Sequence, residues 1–159
     1  MNKSKNAWKW LSATILPILG FAACSDPGEA PALYGTPSSD YQFRGRVTDA
    51  DGKPLQGIKV VSGVSVADGY VAHEDSTFTD ADGRYQTSRM YGPQIEWQLK
   101  QNRRIVTFED VDGEENGGTF ANDTARSSEM KATLVRKGDG SFDQGGYDVE
   151  VADKKLRRR

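Results

Sequence analysis

An all-β domain of two packed sheets, built from about seven short strands, is the fold this sequence predicts, and three observations predict it. Apolar and polar residues alternate with a period of two along several runs, which marks strands with one buried face. Asp-Gly turn signals separate those runs at regular spacing, and 17 of the 159 residues are glycine. After residue 24 no window carries a sustained apolar stripe at the 3.6-residue period of a helix. Strands punctuated in this way indicate a sandwich, with a closed barrel as the main alternative.

The elements follow in order. Tyr41, Phe43, Gly45 and Val47 alternate with Gln42, Arg44, Arg46 and Thr48, a half-buried first strand. Asp49-Ala50-Asp51-Gly52-Lys53-Pro54 is a tight turn, in which glycine supplies positive φ and proline starts the next element at fixed φ. A second strand over residues 57–66 carries Ile58, Val60, Val61 and Val64. Residues 66–75 read as a polar loop, 77–79 as a short strand, Asp80-Ala81-Asp82-Gly83 as a turn and 85–90 as the return. Ile95, Trp97 and Leu99 then alternate with Glu96, Gln98 and Lys100, which predicts a strand with Trp97 packed in the core. Residues 105–108 lead into Asp110-Val111-Asp112-Gly113. Met130, Ala132 and Leu134, and then Tyr147, Val149 and Val151, give the last alternating runs.

The opening of the chain follows other rules. Lys3, Lys5 and Lys9 precede an apolar run over residues 10–23 that is too short for a comfortable span of about 20 residues. A basic start, a short apolar middle and small residues before a cut make a secretory signal peptide, expected as a helix. The stretch Phe21-Ala22-Ala23-Cys24 resembles the lipobox of bacterial lipoproteins, with Phe21 where leucine is commoner. The resemblance implies cleavage before Cys24 and lipidation of its thiol. Each buried acyl methylene contributes roughly 0.8 kcal/mol, so several chains such as palmitate make a lasting membrane anchor. The bland alternative is a free or buried thiol. Cys24 is the only cysteine, so no intrachain disulfide can form.

The predicted organisation is therefore a signal peptide over 1–23, a lipidated Cys24 and flexible tether over 24–40, a β-sandwich over 41–152 and a basic tail over 153–159. Pro27, Pro31 and Pro37 with Gly28 and Gly35 oppose regular structure in the tether. Ser25, Asp26 and Glu29 either form an acidic signal for sorting to the outer cell surface or are ordinary tether residues, and the sequence leaves both open. Removing residues 1–23 takes away three of the 21 lysines and arginines and none of the 23 acids, leaving a mildly acidic chain. Nothing global points to nucleic acid. The tail, Lys154-Lys155-Leu156-Arg157-Arg158-Arg159, reads as frayed and solvated, with contact to anionic lipid as the alternative.

Two resemblances sharpen this reading. The segments Arg44-Gly45-Arg46-Val47-Thr48-Asp49, Pro54-Leu55-Gln56-Gly57-Ile58-Lys59-Val60 and Thr79-Asp80-Ala81-Asp82-Gly83-Arg84-Tyr85 resemble carboxypeptidase-regulatory-like and transthyretin-like domains. They imply an Ig-like sandwich with Tyr85 turned inward. With the lipobox, Tyr34-Gly35-Thr36-Pro37 and the run from Phe108 through Asp110-Val111-Asp112-Gly113 to Phe120, the chain resembles small lipoproteins associated with radical SAM enzymes. That resemblance implies a context rather than an activity.

Candidate sites are few. Asp49-x-Asp51-Gly52, Asp80-x-Asp82-Gly83 and Asp110-x-Asp112-Gly113 repeat one pattern, which serves either tight turns or calcium, a cation that takes six to eight oxygens. An EF-hand loop needs Glu at its twelfth position, where Val60, Tyr91 and Ala121 stand. The third loop is the oxygen-rich one, so Asp110, Asp112, Glu114 and Asn116 are the calcium candidates, and no other cofactor is expected. His73, the only histidine, lies in the predicted loop, and no nucleophile elbow accompanies it. One histidine and one cysteine exclude an ordinary zinc site. Tyr70, Tyr91 and Trp97 either line a sugar-binding face or, for Trp97, pack inside.

The expectation is a non-catalytic lipoprotein of the cell envelope, at the outer membrane, that acts by binding or assembly with a radical SAM enzyme or an envelope protein as partner. Three rivals are a substrate of a radical SAM modifying enzyme, a glycan-binding lipoprotein of an uptake system and, last, an enzyme, for which no nucleophile–base pair can be assembled.

Overall fold

The computed structural model describes residues 35–66 and 69–159; the signal segment, Cys24 and the tether up to residue 34 lie outside the described residues. Two sheets pack face to face as a sandwich. The first strand, β1 (Ser38–Thr48), pairs on one edge with strands made soon after it and on the other with strands made last. In the other sheet, β2 (Ile58–Ser65) lies between β3 (Val71–Phe78) and a later strand. β4 (Arg84–Gln86) and β5 (Met90–Pro93) return antiparallel along β1. A six-residue helix, α1 (Ile95–Lys100), leads to β6 (Arg104–Asp110), which pairs with β2 and with β7 (Asp123–Arg126). β8 (Met130–Arg136) pairs antiparallel with β9 (Asp143–Val151), and β9 and β10 (Lys154–Lys155) both run parallel to β1. The sheets keep open edges at β3, β7 and β8, so the architecture is a sandwich and not a closed barrel. No helix among the described residues is long and apolar enough to cross a membrane.

The core lies between the sheets. The inward residues of β1, namely Tyr41, Phe43 and Val47, meet Val60 of β2 and Val106 and Phe108 of β6. Tyr85 turns inward as expected, its ring 5.8 Å from that of Phe108 in an edge-on arrangement. It crosses its strand partner Gly45, where a Cβ would lie 2.7 Å from the phenol oxygen. Tyrosine over glycine on a neighbouring strand fills the space the missing side chain leaves.

Buried backbone groups that the ladders leave over find hydroxyl partners. Thr79 Oγ1 accepts from Ile58 N–H and donates to Leu55 O, and Thr87 Oγ1 accepts from Phe43 N–H. Ser39 Oγ accepts from Ile95 N–H, and Ser127 Oγ accepts from Arg104 N–H.

One charge sits in this core. Arg104 is wholly buried, its guanidinium 4.6 Å from the ring centre of Tyr41 and 5.5 Å from that of Phe43. It donates to the Glu74 carboxylate and to the Tyr41 hydroxyl, while its Nε–H has no partner. Burial pushes the Tyr41 phenol above its ordinary pKa even though the Arg104 charge opposes this.

The described domain departs from the expected boundaries in five places. It has ten strands rather than about seven, because the return after Gly83 and the chain end both split into short pieces. β1 begins at Ser38, inside the stretch assigned to the tether, and Ser39 is buried. Residues 71–75, expected as loop, belong to β3 and pair with β2.

The predicted strand over residues 95–100 is α1. Ile95, Gln98 and Leu99 stand three and four positions apart and so share one helical face toward the core, while Trp97 is 46% exposed under the Arg103 guanidinium. The last residues are not frayed. β10 pairs with Val47 and Thr48, Leu156 is 1% exposed in the core, and Arg158 bridges to Phe120. A lone apolar side chain docks the basic segment, because the core offers it more than water does.

Candidate functional site

The outer face of the larger sheet carries the charges. Arg44 of β1 pairs with Asp148 and Glu150 of β9 at 3.3 and 2.8 Å. Arg89 bridges Asp40 and Asp148 at 2.8 and 2.6 Å, and Arg136 bridges Asp40 and Asp143. Strand alternation explains the set, since the buried partners Tyr41, Phe43, Tyr147 and Val149 force the intervening residues outward.

Burial alone disfavours ionised Asp40, but hydrogen bonds from Arg136 and Arg89 outweigh it and hold the carboxyl below its ordinary 3.8. A depressed carboxyl stabilises the fold fully above the unfolded-chain value, and this contribution fades as pH falls through the lower native value. Asp40→Asn is therefore expected to be less stable than the parent at pH 7, with a deficit that shrinks only as pH falls below 3.8, measured as urea midpoints at pH 7 and across the acid range.

An open cleft of about 1120 Å³ lies on this sheet, lined among others by Arg44, Arg46, Arg84, Gln86, Lys131 and Glu150. The register sets Arg44 opposite Gln86, Arg46 opposite Arg84, and Lys131 opposite Glu150. At its rim Glu129 accepts from Arg126 N–H and from Lys154. These contacts overcome the effect of burial and lower the pKa of Glu129. The arrangement is a polar surface of mixed charge. The sequence places Arg44 and Arg46 on one strand face but does not bring Arg84 opposite Arg46, because pairing register is not local information.

In the first two Asp-x-Asp-Gly segments the leading carboxylate closes its own turn. Asp49 Oδ1 accepts from the N–H of Asp51 and Lys53, and Asp80 Oδ1 from those of Asp82 and Arg84.

The third loop is built differently. Asp110 Oδ2 accepts from Phe120 N–H at 2.6 Å and its Oδ1 is buried without a partner. Asp112 accepts from the Asn116 amide nitrogen, and Asn116 has φ of 52°. The four calcium candidates are thus not gathered round one point: Asp112 and Asn116 meet, Asp110 serves the backbone, and Glu114 stands exposed. Among the described residues no group of three or more His, Cys, Asp or Glu side chains is placed to hold a metal ion.

His73 is exposed on β3 at a hollow of about 370 Å³ that also includes Asp75 and Ser76. Tyr70 and Tyr91 are 67% and 70% exposed. Cys24 lies outside the described residues.

No family model matches the chain, and no curated protein matches it. Among solved structures it is similar to hydroxyquinol 1,2-dioxygenase from Pseudomonas putida DLL-E4, at 10% identity and a TM-score of 0.46, over 83% of this chain and 60% of that one. It is also similar to catechol 1,2-dioxygenase from Acinetobacter sp. ADP1, at 17% identity and a TM-score of 0.45, over 82% and 55% of the two chains. The major plantain pollen allergen Pla l 1 matches at 12% identity and a TM-score of 0.40, over 76% and 94%. The chain spans 60% or less of the length of the two dioxygenases.

Proposed function

We propose that this chain is a lipid-anchored, non-catalytic β-sandwich lipoprotein of the cell envelope, at the outer membrane, which acts by binding or assembly. The observation that carries the reading is the Phe21-Ala22-Ala23-Cys24 stretch behind three lysines and a short apolar run, in a chain with no second cysteine. In support of a non-catalytic role, the only histidine is solvent-facing and the paired charges of the sheet face neutralise one another. The resemblance to lipoproteins associated with radical SAM enzymes supports such an enzyme, or an envelope protein, as the partner. A second reading, a glycan-binding lipoprotein of an uptake system, is favoured by the exposure of Trp97 together with Tyr70 and Tyr91.

The test is intact mass spectrometry of the protein from its native membrane. The expected product begins at Cys24 and carries acyl chains on it. Cys24→Ser is expected to leave the detergent phase and keep its first 23 residues. A bare thiol on an uncleaved, soluble chain would remove the anchor and the reading with it. A mass shift elsewhere in the domain would turn the assignment toward a substrate of the modifying enzyme.

A further inference from the structure

We propose that the cleft on the larger sheet binds a phosphoryl group carried on a polar molecule, held between Arg46 of β1 and Arg84 of β4. This deepens the binding half of the function proposed above and does not depend on the anchor.

Arg46 and Arg84 are direct cross-strand partners. Val47 N–H donates to Gly83 O one step further along, so the two arginines occupy a pair that exchanges no hydrogen bonds. Such pairs bring side chains closest, with Cβ atoms about 4.5–5.5 Å apart. Like charges placed directly opposite destabilise a sheet.

Elsewhere this face neutralises its arginines: Arg44, Arg89 and Arg136 each touch two carboxylates. Arg46 and Arg84 have no carboxylate partner among the described residues. Among the described residues the one side-chain hydrogen bond of Arg46 is Nε–H to the Asp82 carbonyl at 3.1 Å, which engages neither terminal nitrogen.

The acids of the cleft do not make up the deficit. Glu150 is held by Arg44, Glu129 by Lys154 and Arg126 N–H, and Asp80 Oδ1 by its own turn. Asp80, which keeps its charge, and Asp153 remain, against Arg46, Arg84 and a Lys131 that makes no ion pair among the described residues. A local conflict of this kind in an otherwise consistent sheet marks a place where a ligand completes the electrostatics.

Two adjacent guanidinium forks match the oxygens of a phosphate group, whether a monoester dianion or a diester monoanion. The cleft, at about 1120 Å³, is far larger than one oxyanion, so the group is borne by a larger polar body. A soluble sugar phosphate and a lipid headgroup both offer that chemistry.

Isothermal titration of the detergent-solubilised full-length chain at low salt separates them, with glucose 1-phosphate, glycerophosphoglycerol (the headgroup without its acyl chains) and glucose as probes. Saturable heat with either phosphate compound and none with glucose is expected, and the compound that binds more tightly names the source. Arg46→Gln and Arg84→Gln should each weaken binding about tenfold or more, as expected for a lost hydrogen bond to a charged group. Arg103→Gln, away from the cleft, should leave it unchanged. Both cleft variants should melt at or above the parent temperature, since each relieves repulsion, which separates lost binding from lost folding. No heat from either phosphate compound at millimolar concentration, or parent-like binding by both variants, would overturn the proposal. Binding with a bare Cys24 thiol would sink only the anchor; an acylated Cys24 without binding would sink only this site.

Discussion

Glu74→Ala is expected to destabilise the domain by about 2–3 kcal/mol, measured by urea unfolding at neutral pH. Among the described residues the carboxylate is the one anion paired with Arg104, whose side chain is wholly buried against Tyr41 and Phe43. Removing one partner of a buried ion pair leaves the other charge uncompensated, at a cost of about 3–5 kcal/mol, and the 27% exposure of the Glu74 side chain lowers that figure. The two rings and the Tyr41 hydroxyl soften the loss, because a cation over an aromatic face retains some attraction.

The second half of the experiment is Arg104→Met in the Glu74→Ala background. Replacing a buried pair with apolar side chains of similar volume is often neutral or stabilising. The double variant should recover most of the lost stability. A Glu74→Ala change of less than about 0.5 kcal/mol would mean that water reaches the guanidinium, against its complete burial.

Leu156→Ala is expected to cost about 3 kcal/mol, within the usual 2–5 kcal/mol for truncating a buried leucine. In a domain of this size that lowers the melting temperature by roughly 10 °C. Leu156 sits in the main core cluster, and its N–H donates to Thr48 O at 2.9 Å, so β10 and the core are fixed together. The sequence offers the opposite expectation, a solvated basic tail in which the same substitution would change almost nothing. A melt indistinguishable from the parent would restore the tail; a drop of this size establishes the terminal segment as part of the fold.

Much of the architecture is legible locally. β1 and β9 alternate cleanly over Tyr41–Phe43–Val47 and Tyr147–Val149–Val151, and their inward residues are those found buried. The Asp49 and Asp80 turns are written in their own side chains, which hold the backbone two and four residues on.

What could not be read fails for identifiable reasons. Over six residues, Ile95, Trp97 and Leu99 fit a period of two, yet Ile95 and Leu99 are also four apart, and the short window cannot separate strand from helix. Leu156 is a single apolar residue among cations, and its pocket belongs to strands far away in sequence. The facing arginines of the cleft depend on register. Alternation predicts which face a side chain takes but not whom it meets across the gap.

The order of neighbours around β1 governs how this molecule is made. Gln42 hydrogen-bonds Asp148, 106 residues later, so the larger sheet cannot close until nearly the whole domain has left the ribosome. Pairings of such long sequence separation slow folding, because loop-closure entropy is lost before the contacts that offset it form. A nascent chain that stays open this long remains threadable, which is what the export and processing before Cys24 proposed above would require. Slowing the ribosome should not speed assembly of this domain, because β1 waits for its parallel partner β9 in either case.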